Sequence, residues 1–102
     1  MSRYLLTDEA KQDLADIRRY LVSEAGASVA KSTLTKIRDA FAFLSRTPGA
    51  GHVREDLTSD ALKFWSVFSY LIVYDPNMRP LQIMRVIHGS REVSALLGQD
   101  ED

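Results

Sequence analysis

Histidine, arginine and carboxylate side chains are the groups here that could move a proton or hold an anion, and their spacing sorts them. His88 and Arg91 bracket Gly89 after a long apolar segment. A His and an Arg at a strand end suit a proton donor and an anion clamp. In the plainer reading, His88 bonds backbone in a turn and Arg91 opens a helix in solvent, and spacing alone favours that. Arg85 sits among apolar neighbours. A buried guanidinium needs a partner, so Arg85 either pairs internally or faces a site. His52 and Arg54 stand beside Glu55 and Asp56 in a loop. Such alternation reads as a self-compensating, solvated segment. Asp13 and Asp16 are interleaved with Arg18 and Arg19, and Lys31, Lys36, Arg38 and Asp39 follow. These read as an ordinary solvated helical face of i,i+3 and i,i+4 pairs.

No metal or cofactor is called for. The two histidines show no HxxxH or HExxH spacing, and there is no cysteine. No Gly-rich phosphate loop or serine-nucleophile elbow is present. On motifs alone, the sequence names no enzyme.

The chain has 102 residues, which suits one domain with a modest core. Its 45% hydrophobic content is that of a globular protein. Thirteen Lys and Arg against 14 Asp and Glu give a net charge of −1. Nucleic-acid binders usually carry a clear basic surplus, because phosphate contacts supply most of their affinity. Asp100, Glu101 and Asp102 contribute −3, so residues 1–99 stand at +2. The expected organisation is one domain over 1–98 with a mobile acidic tail at 99–102. No signal peptide is visible, and the run from Phe64 to Tyr74 is too short for a membrane span. The expected location is the cytoplasm.

The positioning elements follow from periodicity. Tyr4-Leu5-Leu6 is a strand or a lead-in. Thr7 then reads as an N-cap, with Asp8 and Glu9 favoured in the first turn. Ala10, Leu14, Ile17 and Leu21 mark the apolar stripe of a helix over about 8–24, and Gly26 stops it. Ala27 or Ser28 opens a second helix with the stripe Ala30, Leu34, Ile37, Phe41 and Leu44, ended by Pro48 and two glycines. The short connection predicts an antiparallel helical hairpin. Segments 62–67, 70–74 and 81–87 are aromatic and β-branched, which predicts a three-strand meander. Strict alternation would put Leu81, Ile83, Arg85 and Ile87 on one face, and Gln82, Met84, Val86 and His88 on the other. Ser90 can cap a short final helix. The class is α+β, a helical hairpin on one face of a small antiparallel sheet. Both sheet faces read as apolar, and two helices with a one-turn tail are too few to cover both. Either the final helix and long side chains cover the remainder or it binds another protein, and the second reading is favoured.

Taken in order, these pieces resemble the ParE/RelE toxins of bacterial type II toxin–antitoxin systems, and within them the ParE branch. The resemblance spans about residues 3–97. It is carried by Ala10-x3-Leu14-x2-Ile17-x2-Tyr20, the stretch Leu44 to Pro48, Gly51-x2-Arg54-x-Asp56-Leu57, Tyr70-x-Ile72-x-Tyr74, and Arg85-Val86-Ile87-His88-Gly89-x-Arg91. It implies a β-α-α-β-β-β(-α) order and promotes residues 4–6 to a strand. It also implies a toxin neutralised by a cognate antitoxin, a ParD-like ribbon-helix-helix protein in a hetero-oligomeric complex. Operator DNA would be reached only through that antitoxin, and no membrane is involved. The antitoxin would meet an apolar surface for which Leu14, Ile17, Leu21, Phe41, Trp65, Leu71, Val73 and Met84 are the candidates.

Two targets compete within the resemblance. ParE-like toxins poison DNA gyrase without being enzymes. RelE-like toxins cut mRNA in the ribosome with clustered Lys and Arg and a terminal Tyr or His. Leu71 stands where RelE-like toxins carry an arginine, and no tyrosine follows Tyr74. Gyrase is therefore the favoured target, with Arg85, His88 and Arg91 as the contact residues. In the endoribonuclease alternative, Arg85, His88, Arg91 and Arg54 would form the site.

Overall fold

The computed structural model of the protein describes residues 3–53 and 61–88. The order of elements is β1 (Tyr4–Leu6), α1 (Asp8–Ala25), α2 (Ala27–Arg46), β2 (Lys63–Val67), β3 (Tyr70–Asp75) and β4 (Leu81–His88). A 3-10 turn at Pro48–Ala50 follows α2. The residues proposed for the final helix lie outside the described residues.

Thr7 caps α1 as its residue type suggests, its side-chain oxygen accepting from the Ala10 N–H. One residue, Gly26, both ends α1 and opens α2. Its φ of 94° is open to glycine at little cost, and its N–H reaches the carbonyls of Leu21 and Val22. The helices therefore fold back on each other as a hairpin.

The sheet has the order β1-β4-β3-β2. β2, β3 and β4 form the expected antiparallel meander. β1 adds to its far edge parallel to β4, with Tyr4 opposite Leu81 and Leu6 opposite Ile83. The sheet is thus mixed, with a short parallel edge that periodicity alone did not reveal.

The strict alternation expected for the last strand fails in the middle of β4. Val73 pairs with Arg85, but its neighbour Tyr74 pairs with Ile83, so Met84 has no opposite residue. This β-bulge reverses the facing of everything after it. Leu81, Ile83 and Val86 join the core beneath the helices, while Ile87 and Met84 join the opposite face.

Two apolar clusters result. The larger lies between the hairpin and the sheet and includes Ala10, Leu14, Ile17, Ile37, Phe41, Leu44, Ile72 and Tyr74. The smaller gathers Phe64, Leu71, Val73 and Ile87 on the other face, with Leu62 and Met84 packed on it. The expectation of an open second face is not met at these four positions. Each is less than a tenth exposed within the chain itself. No helix among the described residues is long and apolar enough to cross a membrane.

Candidate functional site

The bulge creates unpaired backbone groups in β4, and side chains of α1 and its cap meet them. Thr7 Oγ1 donates to the Met84 carbonyl at 2.7 Å, and the Thr7 N–H donates to the Ile83 carbonyl. Asp13 Oδ2 accepts from the Val86 N–H at 2.9 Å. The same carboxylate takes Arg85 in a fork, from Nε to Oδ2 at 2.7 Å and from Nη2 to Oδ1 at 3.0 Å. Charge-assisted bidentate pairs are among the stronger polar contacts.

This resolves the open choice for Arg85, which pairs internally. It also corrects the reading of Asp13 as part of a solvated face, because Asp13 is only 9% exposed. The signal was available. Asp13 stands three residues after Ala10 and four before Ile17, on the buried stripe itself.

His88 ends β4 and meets the Tyr70 ring edge-on, with centroids 5.8 Å apart. Both border a cleft of about 220 Å³ between the α1 surface and the end of the meander. Buried Ile17 and Val86 line it together with Tyr20, which is half-exposed, and Asp13 and Asp16 complete the lining. Asp16 Oδ1 accepts from Gln12 Nε2 at 2.9 Å and also pairs with Arg19. Sequence reasoning missed Tyr20 and Tyr70 as neighbours of His88, since a shared strand end depends on the meander register.

Of the residues proposed for contact or catalysis, Arg54 and Arg91 lie outside the described residues. Arg85 and His88 are both near the end of β4, but Arg85 is committed to Asp13 and His88 to the cleft. The eight residues proposed for the antitoxin do not form one surface. Leu14, Ile17 and Phe41 are buried in the larger cluster, and Leu71 and Val73 in the smaller one. Leu21 and Trp65 are partly exposed at the margin of the first, and Met84 at the margin of the second. Trp65 stacks with His52 at 6.3 Å and leans on Phe43 at 5.3 Å, so His52 serves as an aromatic neighbour. The His52 backbone also makes a two-bond bridge with Phe64 on the β2 edge, at 2.8 Å each way.

A second polar arrangement is buried. Tyr74 OH donates to the Pro48 carbonyl at 2.7 Å and accepts from the Gly51 N–H at 2.8 Å. The chain after α2 is thereby tied to the sheet. Burial raises the Tyr74 pKa above its usual 10.0, opposed in part by the Gly51 N–H bond. A Cβ on Gly51 would stand 2.3 Å from that hydroxyl, so only glycine fits there. Among the described residues, no group of three or more His, Asp or Glu side chains could hold a metal ion.

Comparison with known proteins places this geometry in a family. Residues 4–93 match the family model described as the ParE toxin of type II toxin–antitoxin system, parDE. The chain is 30% identical over 99 residues to Toxin ParE3 of Caulobacter vibrioides, covering 97% of this chain and 98% of that one. Among solved structures it resembles a chromosomal ParDE TA system from P. aeruginosa. The TM-score is 0.71 at 19% identity, over 85% of this chain and 98% of the other, a likeness of fold.

Proposed function

The chain belongs to the ParE toxin family of type II toxin–antitoxin systems, and from that membership we propose that it is a toxin acting on a protein target. The target is DNA gyrase in the cytoplasm, and a cognate ribbon-helix-helix antitoxin holds the toxin inactive in a hetero-oligomeric complex. The complex reaches operator DNA through the antitoxin.

What favours a protein target over ribosomal RNA is the bonding of Arg85. An endoribonuclease of the RelE kind needs cations free to meet a phosphate in its transition state. Arg85 instead spends its guanidinium on Asp13, through two hydrogen bonds. Beside it, His88 shares its cleft with two carboxylates, Asp13 and Asp16. Carboxylates at that spot repel the phosphates an RNA-cutting site must gather. The net charge of −1 works in the same direction.

The test has two parts. Induced expression of the chain should arrest growth, and the product of the adjacent antitoxin gene should restore it. The purified chain should then inhibit gyrase supercoiling and accumulate cleaved DNA, while leaving mRNA on programmed ribosomes intact. Codon-positioned mRNA cleavage would replace the gyrase reading with the endoribonuclease reading. Absence of growth arrest in a permissive host would remove the toxin reading altogether.

A further inference from the structure

We propose that the cleft between α1 and the end of β4 receives an arginine side chain of the antitoxin. This rests on the toxin–antitoxin reading and names one of its anchoring contacts. Four features of the cleft argue for this occupant.

The first is size. Pockets for drug-sized ligands and cofactors run to about 300–1,000 Å³. At about 220 Å³, this cleft accommodates one long side chain.

The second is the character of the walls. Tyr20 and Tyr70 line it with two aromatic side chains, beside the aliphatic Ile17 and Val86. An aromatic ring attracts a cation, and aliphatic lining suits a methylene stem.

The third is the charge at the rim. The cleft is lined by no lysine or arginine among the described residues and by two carboxylates. Asp13 is occupied by Arg85 and the Val86 N–H. Asp16 is different. Its hydrogen bonds use Oδ1 alone, so Oδ2 remains open to a donor. Arg19, its ion-pair partner, has a side chain 70% exposed, and an exposed pair of this kind is weak enough to be displaced or shared.

The fourth is exclusion of other classes. The carboxylates disfavour phosphate-bearing ligands. The same residues do not form a metal set. A planar guanidinium can stack on a phenol ring and fork onto a carboxylate together, which an ammonium cannot do, so arginine fits better than lysine.

The test uses the full chain and a defined probe, Nα-acetyl-arginine methylamide, followed by NMR at the ring signals of Tyr20, Tyr70 and His88. Saturable shifts are expected, with none from the uncharged citrulline analogue. Asp16→Asn should weaken the probe at least fivefold. Asp16 has a side chain 54% exposed, so the variant should keep the wild-type melting temperature. Tyr20→Ala, also at an exposed position, should weaken it similarly. With the purified antitoxin, Asp16→Asn should lower affinity at least tenfold. Equal binding of the arginine and citrulline probes overturns the proposal. So does an antitoxin that binds wild type and Asp16→Asn equally, and in that case the toxin–antitoxin reading still stands. An antitoxin that binds neither protein removes that reading itself. A single-stranded RNA oligonucleotide that binds the cleft, and binds better after Asp16→Asn, also overturns the proposal.

Discussion

Asp13 accepts three hydrogen bonds across a gap of more than 70 residues, from Arg85 Nε, Arg85 Nη2 and the Val86 N–H. Replacing it with alanine removes all three, including the acceptor of the buried Val86 N–H. The Arg85 side chain is 31% exposed, so solvent recovers part of the loss. Asp13→Ala should cost about 2–3 kcal/mol, below the range for a fully buried pair broken on one side. Asp13→Asn keeps an acceptor for Val86 and should cost roughly half as much. Asp16→Ala, on the exposed side of the same helix, should stay within about 0.5 kcal/mol. Urea unfolding midpoints of the three variants check this order. Tyr74 gives a second test. Its hydroxyl ionises less readily when folded than at the ordinary value of 10.0. Because the folded state favours the neutral phenol, its stabilising effect is complete below about pH 10. It is lost as pH climbs from there through the raised folded value. Tyr74→Phe should therefore cost about 1–2 kcal/mol at neutral pH, through the bonds to Pro48 and Gly51. The wild type should lose stability more steeply than Tyr74→Phe above pH 10, which urea midpoints taken across pH 9–12 would read.

At the scale of elements, the turn between β2 and β3 is the least expected feature. Val67 pairs with Tyr70, so only Phe68 and Ser69 connect the strands. Two-residue hairpin turns need a positive φ, and here Phe68 supplies it at 56°. A bulky side chain in that region is strained, and Phe68 recovers little by packing, being 69% exposed. Phe68→Gly should leave the fold intact and raise stability by about 0.5–1 kcal/mol, read as a higher thermal midpoint. A fall of that size would instead mean that the ring holds a contact worth more than the strain. This turn also shows where sequence reading stops. The helices were legible within a residue or two, because stripe, cap and Gly26 all agree. The strands were legible from their aromatic and β-branched runs. The β4 bulge was not, since nothing in Leu81-Gln82-Ile83-Met84-Arg85-Val86 marks Met84 as the extra residue. That single insertion reassigned Val86 and Ile87 to opposite faces and decided what Arg85 could reach. Asp13 was misread for a related reason: its charge outweighed its position on the buried stripe.

For the whole molecule, 102 residues support a small core, and binding energy is then a large share of total stability. A partner that binds only the folded chain stabilises it by mass action. At a hundred times its dissociation constant this amounts to about 2.7 kcal/mol, which for a domain of this size raises the melting temperature by roughly 10 °C or more. Saturating antitoxin should produce a shift of that order, measured by scanning calorimetry, and an unchanged midpoint would count against antitoxin binding. The contact surface was the least legible part of the chain. Apolar type alone could not separate Leu14 and Phe41, which face inward, from Leu21 and Trp65, which meet the surface. That distinction depends on how the hairpin seats on the sheet.

The strand order carries a consequence for how the chain comes into being. β4 is made last among the described strands yet lies between β1 and β3. Until it arrives, β1 has no neighbour, Asp13 has no arginine, and Thr7 has no Met84 carbonyl to hold. Pairings this distant in sequence are slow to form and cannot begin early in synthesis. A product that stops before β4 therefore carries at most the β2–β3 hairpin, without the four-stranded sheet or the cleft beside His88. Such a fold delays its assembled form until β4 itself has been made.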